Sequence, residues 1–167
     1  MIYRNKIWLV LLAVLIAGSS CVRYSFKGAL PSDLKTIYIG DFENRTSYPT
    51  IREDLIDKLI QSFLEDGTLK VVDSPDGADL ILEGQINSVY NRKASITQDE
   101  TVTEYHLEVS VSATCINTHL NKPFWKSNFN RYGVMESAAL GSETDAALLD
   151  ALDQIVEDML IKTIAAW

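Results

Sequence analysis

The sequence has 167 residues, 15 basic against 23 acidic side chains and a formal net charge of −8, and 47% of its residues are hydrophobic. The length suits a single domain with a real core. The acidic balance excludes a general nucleic-acid binder, which needs a basic footprint to displace counterions, although local basic patches remain compatible with it.

Arg4 and Lys6 form a short basic region, the apolar run IWLVLLAVLIA follows at residues 7–17, and the small residues Gly18, Ser19 and Ser20 precede Cys21. This is the three-part layout of a signal peptide. A membrane-spanning helix needs about 18 or more apolar residues, and this run is shorter, so residues 1–20 are expected to be removed. GSSC resembles the bacterial lipobox, with Gly18 where a branched aliphatic residue is usual. A thiol at that place takes a diacylglycerol before cleavage, so Cys21 is the expected lipidation site. Its acyl chains, at about 0.8 kcal/mol per buried CH₂, anchor without a membrane helix. Ordinary secretion with an unmodified Cys21 is the alternative. Cleavage leaves 147 of the 167 residues, with 13 Lys and Arg against 23 Asp and Glu, since the removed segment holds two cations and no acid; the net charge becomes −10.

Residues 21–34, with Gly28 and Pro31, read as a lipidated tether whose Tyr24 and Phe26 dock on the body, and residues 35–167 as one α/β domain. KTIYIGDFEN (35–44) has the composition of a strand, with Ile37 and Ile39 on one face and Tyr38 and Phe42 on the other. Thr50 and Glu53 have the spacing of a capping box. The helix they open carries an apolar stripe of Ile51, Leu55, Ile56, Leu59, Ile60, Phe63 and Leu64 and ends at Gly67.

LKVVD (69–73) is a short strand closed by the turn SPDG. From Asp79 to about Lys93 a longer strand points Leu80, Leu82, Ile86 and Tyr90 one way and Glu83, Gln85, Asn87 and Asn91 the other, with Gly84 marking a bulge or a close approach. The polar SITQDE loop joins it to an alternating strand, giving an antiparallel pair. In that second strand Tyr105, Leu107, Val109, Val111, Ala113 and Cys115 form the apolar face, and Glu104, His106, Glu108, Ser110, Ser112 and Thr114 the polar one. NKP turns the chain into FWKSNFNRYGV (124–134), aromatic on both faces. A last helix opens at Ser142 with Asp145 as box partner and a stripe of Leu148, Leu152, Ile155, Val156, Met159 and Thr163. The order predicts an α+β fold, a two-layer α/β sandwich with a mixed or antiparallel sheet of about four strands and both helices on one face.

The residues supply little that points to catalysis. The two histidines, His106 on a polar strand face and His119 in a turn, have no metal-site spacing. There is no glycine-rich phosphate loop, nucleophile elbow or CxxC pair. No catalytic residue, metal or cofactor is assigned beyond the covalent lipid on Cys21. Cys115, on an apolar face with no basic neighbour to lower its pKa, reads as a buried structural thiol. Asn44, Arg45 and Thr46 form a glycosylation sequon with little meaning behind a bacterial lipoprotein signal.

CVRYSF after the lipobox, then PSDLKTIYIGDFENRT, the amphipathic helix and ADLILEGQINSVYNR resemble the LptE family of lipopolysaccharide-assembly lipoproteins, in particular its Bacteroidetes-like branch. The motifs are individually loose, and the specificity lies in their order over nearly the whole mature chain. The resemblance implies a non-enzymatic Gram-negative envelope lipoprotein that plugs the LptD β-barrel, assists its assembly and helps insert lipopolysaccharide into the outer leaflet. A barrel lumen is polar, and the polar strand face from Glu104 to Thr114 suits it; a face exposed to periplasmic water reads the same way. Arg92, Lys93, Lys126 and Arg131 are the candidate contacts for the phosphates of lipid A, if their strands meet at one end of the sheet; scattered cations also simply solubilise a surface. Val22 is not the aspartate that retains many enterobacterial lipoproteins in the inner membrane, and no acidic cluster follows Cys21. By resemblance to Bacteroidetes sorting signals this implies the periplasmic side of the outer membrane. A periplasmic adaptor of another lipid-transport complex, or a lipid carrier with its own cavity, stays open.

Cys21→Ser is expected to abolish fatty-acid labelling and leave precursor or released soluble protein, because no other segment of the sequence can hold the chain in a bilayer. Metabolic labelling followed by membrane fractionation checks it, and a variant that stays labelled and membrane-bound defeats the lipoprotein reading.

Overall fold

A computed structural model describes residues 30–96, 102–136 and 141–165. The expected signal segment, Cys21, the tether as far as residue 29 and the centre of the SITQDE loop lie outside the described residues. The elements run β1 (Thr36–Asn44), α1 (Ile51–Asp66), β2 (Lys70–Val72), β3 (Leu80–Ile96), β4 (Val102–Asn117), β5 (Lys122–Met135) and α2 (Ser142–Ile164). The five strands form one mixed sheet in the order β2-β1-β3-β4-β5. β1 pairs in parallel with β2 and β3, and β4 runs antiparallel to its two neighbours, β3 and β5. All five fall on segments read as strands, the three-residue β2 within LKVVD, so the sheet is one strand wider than the count of about four.

Both helices pack on one side of the sheet. α1 buries Ile51, Leu55, Leu59 and Phe63, a single i, i+4 row. Ile56 and Ile60 are only partly buried and Leu64 is 61% exposed, so the contact stripe is narrower than the sequence suggests. Gly67 ends the helix in the left-handed region at φ 68°, donating its N–H to Phe63 O as the sequence predicts. Every expected stripe residue of α2 is buried, Thr163 included, together with Ala147 and Ala151. Thr163 keeps its hydroxyl satisfied inside the core, donating to Met159 O at 2.7 Å and accepting from Trp125 Nε1 at 3.3 Å. Lys58 and Asp153 form an ion pair between the two helices.

Neither capping box forms. Thr50 precedes α1 with helical angles (φ −89°, ψ −11°) and makes no side-chain cap; a capping hydroxyl normally needs the extended conformation to reach back to the first turn. Glu53 bonds to Arg52 instead. α2 is capped one residue early, by Gly141, whose carbonyl accepts the N–H groups of Thr144 and Asp145; Ser142 therefore lies inside the first turn.

Because side chains alternate across a strand, one extra residue moves all that follow to the opposite face. β1 pairs Ile39 with Leu82 and then Phe42 with Gly84, so Gly40 and Asp41 together oppose Glu83. This corrects the expected position of Phe42, which is fully buried beside Ile37 and Ile39. In β3, Asn87 is the extra residue between Ile86 and Ser88. Val89 consequently packs toward the core, while Tyr90, expected on the apolar face, stands 50% exposed on the other. β4 keeps its phase, and Leu107, Val109, Val111, Ala113 and Cys115 are all buried. In β5 Phe124 is the extra residue, beyond which Trp125 and Phe129 point inward and meet edge to face at 5.8 Å.

Two glycines mark close approaches. A Cβ on Gly84 would lie 2.7 Å from the Phe42 ring and 2.3 Å from Ser112 O. One on Gly133 would lie 2.0 Å from Ala147 O, where the first turns of α2 cross β5. Rigid backbone cannot yield cheaply, and overpacking of this kind costs about 1–3 kcal/mol. Gly133→Ala is therefore expected to lower the urea midpoint by an equivalent of about 2 kcal/mol or more. An unchanged midpoint would mean that α2 is free to move off the sheet.

Candidate functional site: the uncovered sheet face

With both helices on one side, the opposite face of the sheet carries no helix among the described residues, and the register orders its side chains in rows. At the end where β1 and β3 begin, Val72, Tyr38, Ile81, Ile116 and Pro123 follow one another across all five strands, a partly exposed apolar band. Beyond it the face is polar. Glu83, Thr114 and Lys126 form the next row, then Gln85, Ser112 and Asn128, then Ser88, Ser110 and Asn130. Gln85 Nε2 donates to Asn87 Oδ1 at 2.6 Å and Asn87 Nδ2 to Ser112 Oγ at 2.7 Å, so the side chain bulged out of β3 is tied across to β4.

Farther along, Tyr90, Glu108 and Tyr132 face out in one row and Arg92, His106 and Val134 in the next. Glu108 accepts from the Tyr90 hydroxyl and, at 3.0 Å, from Arg92 Nη1. These two bonds, the tyrosine's first, hold its carboxyl below the usual range. His106 stacks on Tyr132 with ring centroids 3.9 Å apart. Residues expected on the polar face of β4 thus take part in a fixed cross-strand lattice and are not merely solvated.

The four cations proposed as one lipid A contact are not gathered. Arg92 and Lys126 share the uncovered face but are registered with His106 and Thr114, eight residues apart on β4 and hence about 27 Å. Lys93, registered with Tyr105, belongs to the opposite face. Arg131 turns toward α2 and pairs with Asp158 at 2.7 Å. The strands do lie side by side, but alternation and register separate the charges, and sequence spacing carried neither.

A cluster missed by sequence reasoning closes the end of the sheet near the apolar band. The Asp79 carboxylate accepts the N–H groups of Lys35 (2.8 Å) and Thr36 (2.9 Å), the Thr36 hydroxyl (2.9 Å) and His119 Nε2 (2.8 Å). Thr36 Oγ in turn accepts the Asp79 N–H. His119, read as a turn residue without a role, thus joins the β4–β5 turn to the starts of β1 and β3. An Asp just before a strand was the available signal, but its partners are about 40 residues away on either side. Among the described residues no group of three or more His, Cys, Asp or Glu is placed to hold a metal. Cys115 is fully buried, and burial pushes its thiol up to about 12.

The sequence model of the LptE family, described as lipopolysaccharide-assembly, matches residues 34–163. This chain belongs to the LptE family. LptE proteins are non-enzymatic, and this chain is a lipopolysaccharide-assembly lipoprotein of the cell envelope. No curated protein matches it significantly in sequence. Among solved structures it is similar to a Xanthomonas campestris protein (TM-score 0.60, 12% identity, 83% of this chain and 90% of that one). It is also similar to a hypothetical protein from Chlamydia trachomatis (TM-score 0.59, 10% identity, 80% and 99%). An uncharacterized lipoprotein B from Nitrosomonas europaea shares the fold at TM-score 0.51 and 20% identity, over 80% and 84%. At such identities the likeness is one of fold.

The Asp79 cluster makes a pH prediction for this LptE domain. Hydrogen bonds, that from the Lys35 N–H foremost, lower the Asp79 carboxyl from 3.8 to about 2. A lowered folded-state pKa stabilises at pH values above the unfolded value, and the contribution is lost as pH falls from about 4 through about 2. Asp79→Asn is expected to cost about 1–2 kcal/mol at pH 7, after allowance for partial solvent screening, and to flatten stability between pH 4 and 2. Urea unfolding of both proteins across that range measures it; parallel acid limbs would assign the effect to other carboxylates.

Proposed function

We propose that this protein, anchored by lipid on Cys21 at the periplasmic side of the outer membrane, seats its uncovered sheet face against an LptD-like β-barrel, assisting the barrel's assembly and the passage of lipopolysaccharide into the outer leaflet. The observation that carries the reading is that face itself, in a chain of the LptE family: uncovered by any helix among the described residues, with an apolar band across all five strands at one end and a lattice of amide, hydroxyl and paired charged groups over the rest. A protein interface combines an apolar centre with satisfied polar groups at its margin, and a barrel lumen supplies polar partners. Ser110 and Ser112 are half-buried near the middle of this face. Loss of the protein should leave the barrel misassembled and lipopolysaccharide stalled.

Copurification from outer membrane solubilised in mild detergent tests this. Wild-type protein should bring a large β-barrel with it, and Ser110→Lys or Ser112→Glu should weaken the association, because a charge buried without a partner at an interface costs about 2–5 kcal/mol. Substitutions of His119 or of carboxylates off this face should act through stability alone, and those of His106 through stability or interface packing. Lipidated wild-type protein that brings no barrel would favour the adaptor or lipid-carrier alternative instead.

A further inference from the structure

The sheet has three free backbone edges, and two of them are blunted. Along β5 the outward carbonyls of Asn130 and Tyr132 accept Arg131 Nη1 and Gln154 Nε2, each at 3.0 Å, and α2 lies against Gly133. β2 covers only the beginning of β1, and past it β1 is bulged at Gly40 and Asp41. Bulges and capped or covered carbonyls are common protections against unwanted strand pairing.

The third edge belongs to β3. β1 accompanies β3 as far as Ile86, whereas β3 continues to Ile96 paired with β4 alone. Its register is unbroken from Ser88 to Lys93, between irregularities at Asn87 and Ala94. The phase of the backbone can be followed through the bulge. Ile86 O accepts the Arg45 N–H at 3.1 Å and therefore faces the β1 side. The extra residue at Asn87 moves that phase by one, so Val89, Asn91 and Lys93 turn their N–H and C=O groups outward. Among the described residues no strand pairs with them on that side.

We propose that the β3 edge from Ser88 to Lys93 receives an added strand: an extended, acidic segment of a partner protein, held by main-chain hydrogen bonds to Val89, Asn91 and Lys93. Strand addition of this kind draws affinity from the backbone and specificity from alternate side chains. Here the specificity is one of charge. Arg92 and Lys93 are consecutive, so one cation stands on each face of the edge, and carboxylates on either face of an incoming strand meet one of them. Arg92 is 67% exposed and gives only Nη1 to Glu108, which leaves donors free. A second copy of the same edge would bring the same two cations and be repelled. The proposal rests on the edge alone and not on the partner of the sheet face.

The test is hydrogen exchange on the full processed chain in mild detergent, with two synthetic extended peptides of about eight residues that alternate Val with Glu or Val with Lys. The Glu peptide at millimolar concentration should slow exchange at Val89, Asn91 and Lys93 by about threefold or more, with no effect from the Lys peptide. In Asn91→Pro, which lacks only an outward N–H, the protection at Val89 and Lys93 should disappear while β4 stays protected. Should that variant open the hairpin, Arg92→Glu combined with Lys93→Glu must exchange the preference from the Glu to the Lys peptide. Equal protection by both peptides, protection by neither, or concentration-dependent protection without any peptide, which would make the occupant a second copy, overturns the proposal.

Discussion

Each side chain of the described strands faces either the helix layer or the side on which none of the described helices lies. A sheet covered on one side makes the phase of every strand decisive, because a side chain on the wrong face is either a buried polar group or an exposed apolar one. The centre of the helix side is filled by apolar side chains, with Thr163 satisfied among them, while the charged Lys93 and Arg131 lie exposed at its margin. The single-residue bulges at Gly40 and Asp41, Asn87 and Phe124 keep it so, each re-phasing its strand where strict alternation would have sent the wrong residue inward. Phe42 owes its place to one, and the void above Gly84 that its ring fills is part of the same adjustment.

The same bulges compose the uncovered face. Asn87 leaves the ladder of β3 and bonds across to Ser112, and the shift after it delivers Tyr90 and Arg92 to Glu108. A surface with its polar groups already oriented loses little side-chain freedom when a partner covers it, and the rows running from the apolar band to the tyrosines give such a partner a defined direction. The re-phasing that ends at Ser88 also begins the regular run of β3 that outlasts β1. Face and edge are therefore two results of one local insertion. At the opposite end the Asp79 cluster fixes the starts of β1 and β3 and the β4–β5 turn to one another, holding the sheet's width where the apolar band crosses it.

Membership of the family explains why the chemistry is sparse. A lipopolysaccharide-assembly protein needs a shaped surface and not a catalytic constellation, and several titratable groups are engaged in structural pairs: Arg92 with Glu108, Arg131 with Asp158, His119 with Asp79. The low pKa of the Asp79 and Glu108 carboxyls follows from the hydrogen bonds they accept.

The sequence alone determined whatever depends on local pattern. The apolar stripe and Gly67 stop of α1, the stripe of α2, the alternation of β4 with Cys115 inward and the two-layer class were all readable, since period and composition carry those signals within a dozen residues. Only the tertiary structure decided the rest. It moved Phe42 inward and Tyr90 outward, left both capping boxes unmade, brought His119 to Asp79 and scattered Arg92, Lys93, Lys126 and Arg131 over two faces and about 27 Å. The reason is that a bulge is a property of two strands together: which residue is extra depends on what lies opposite, and nothing in the strand's own sequence states it.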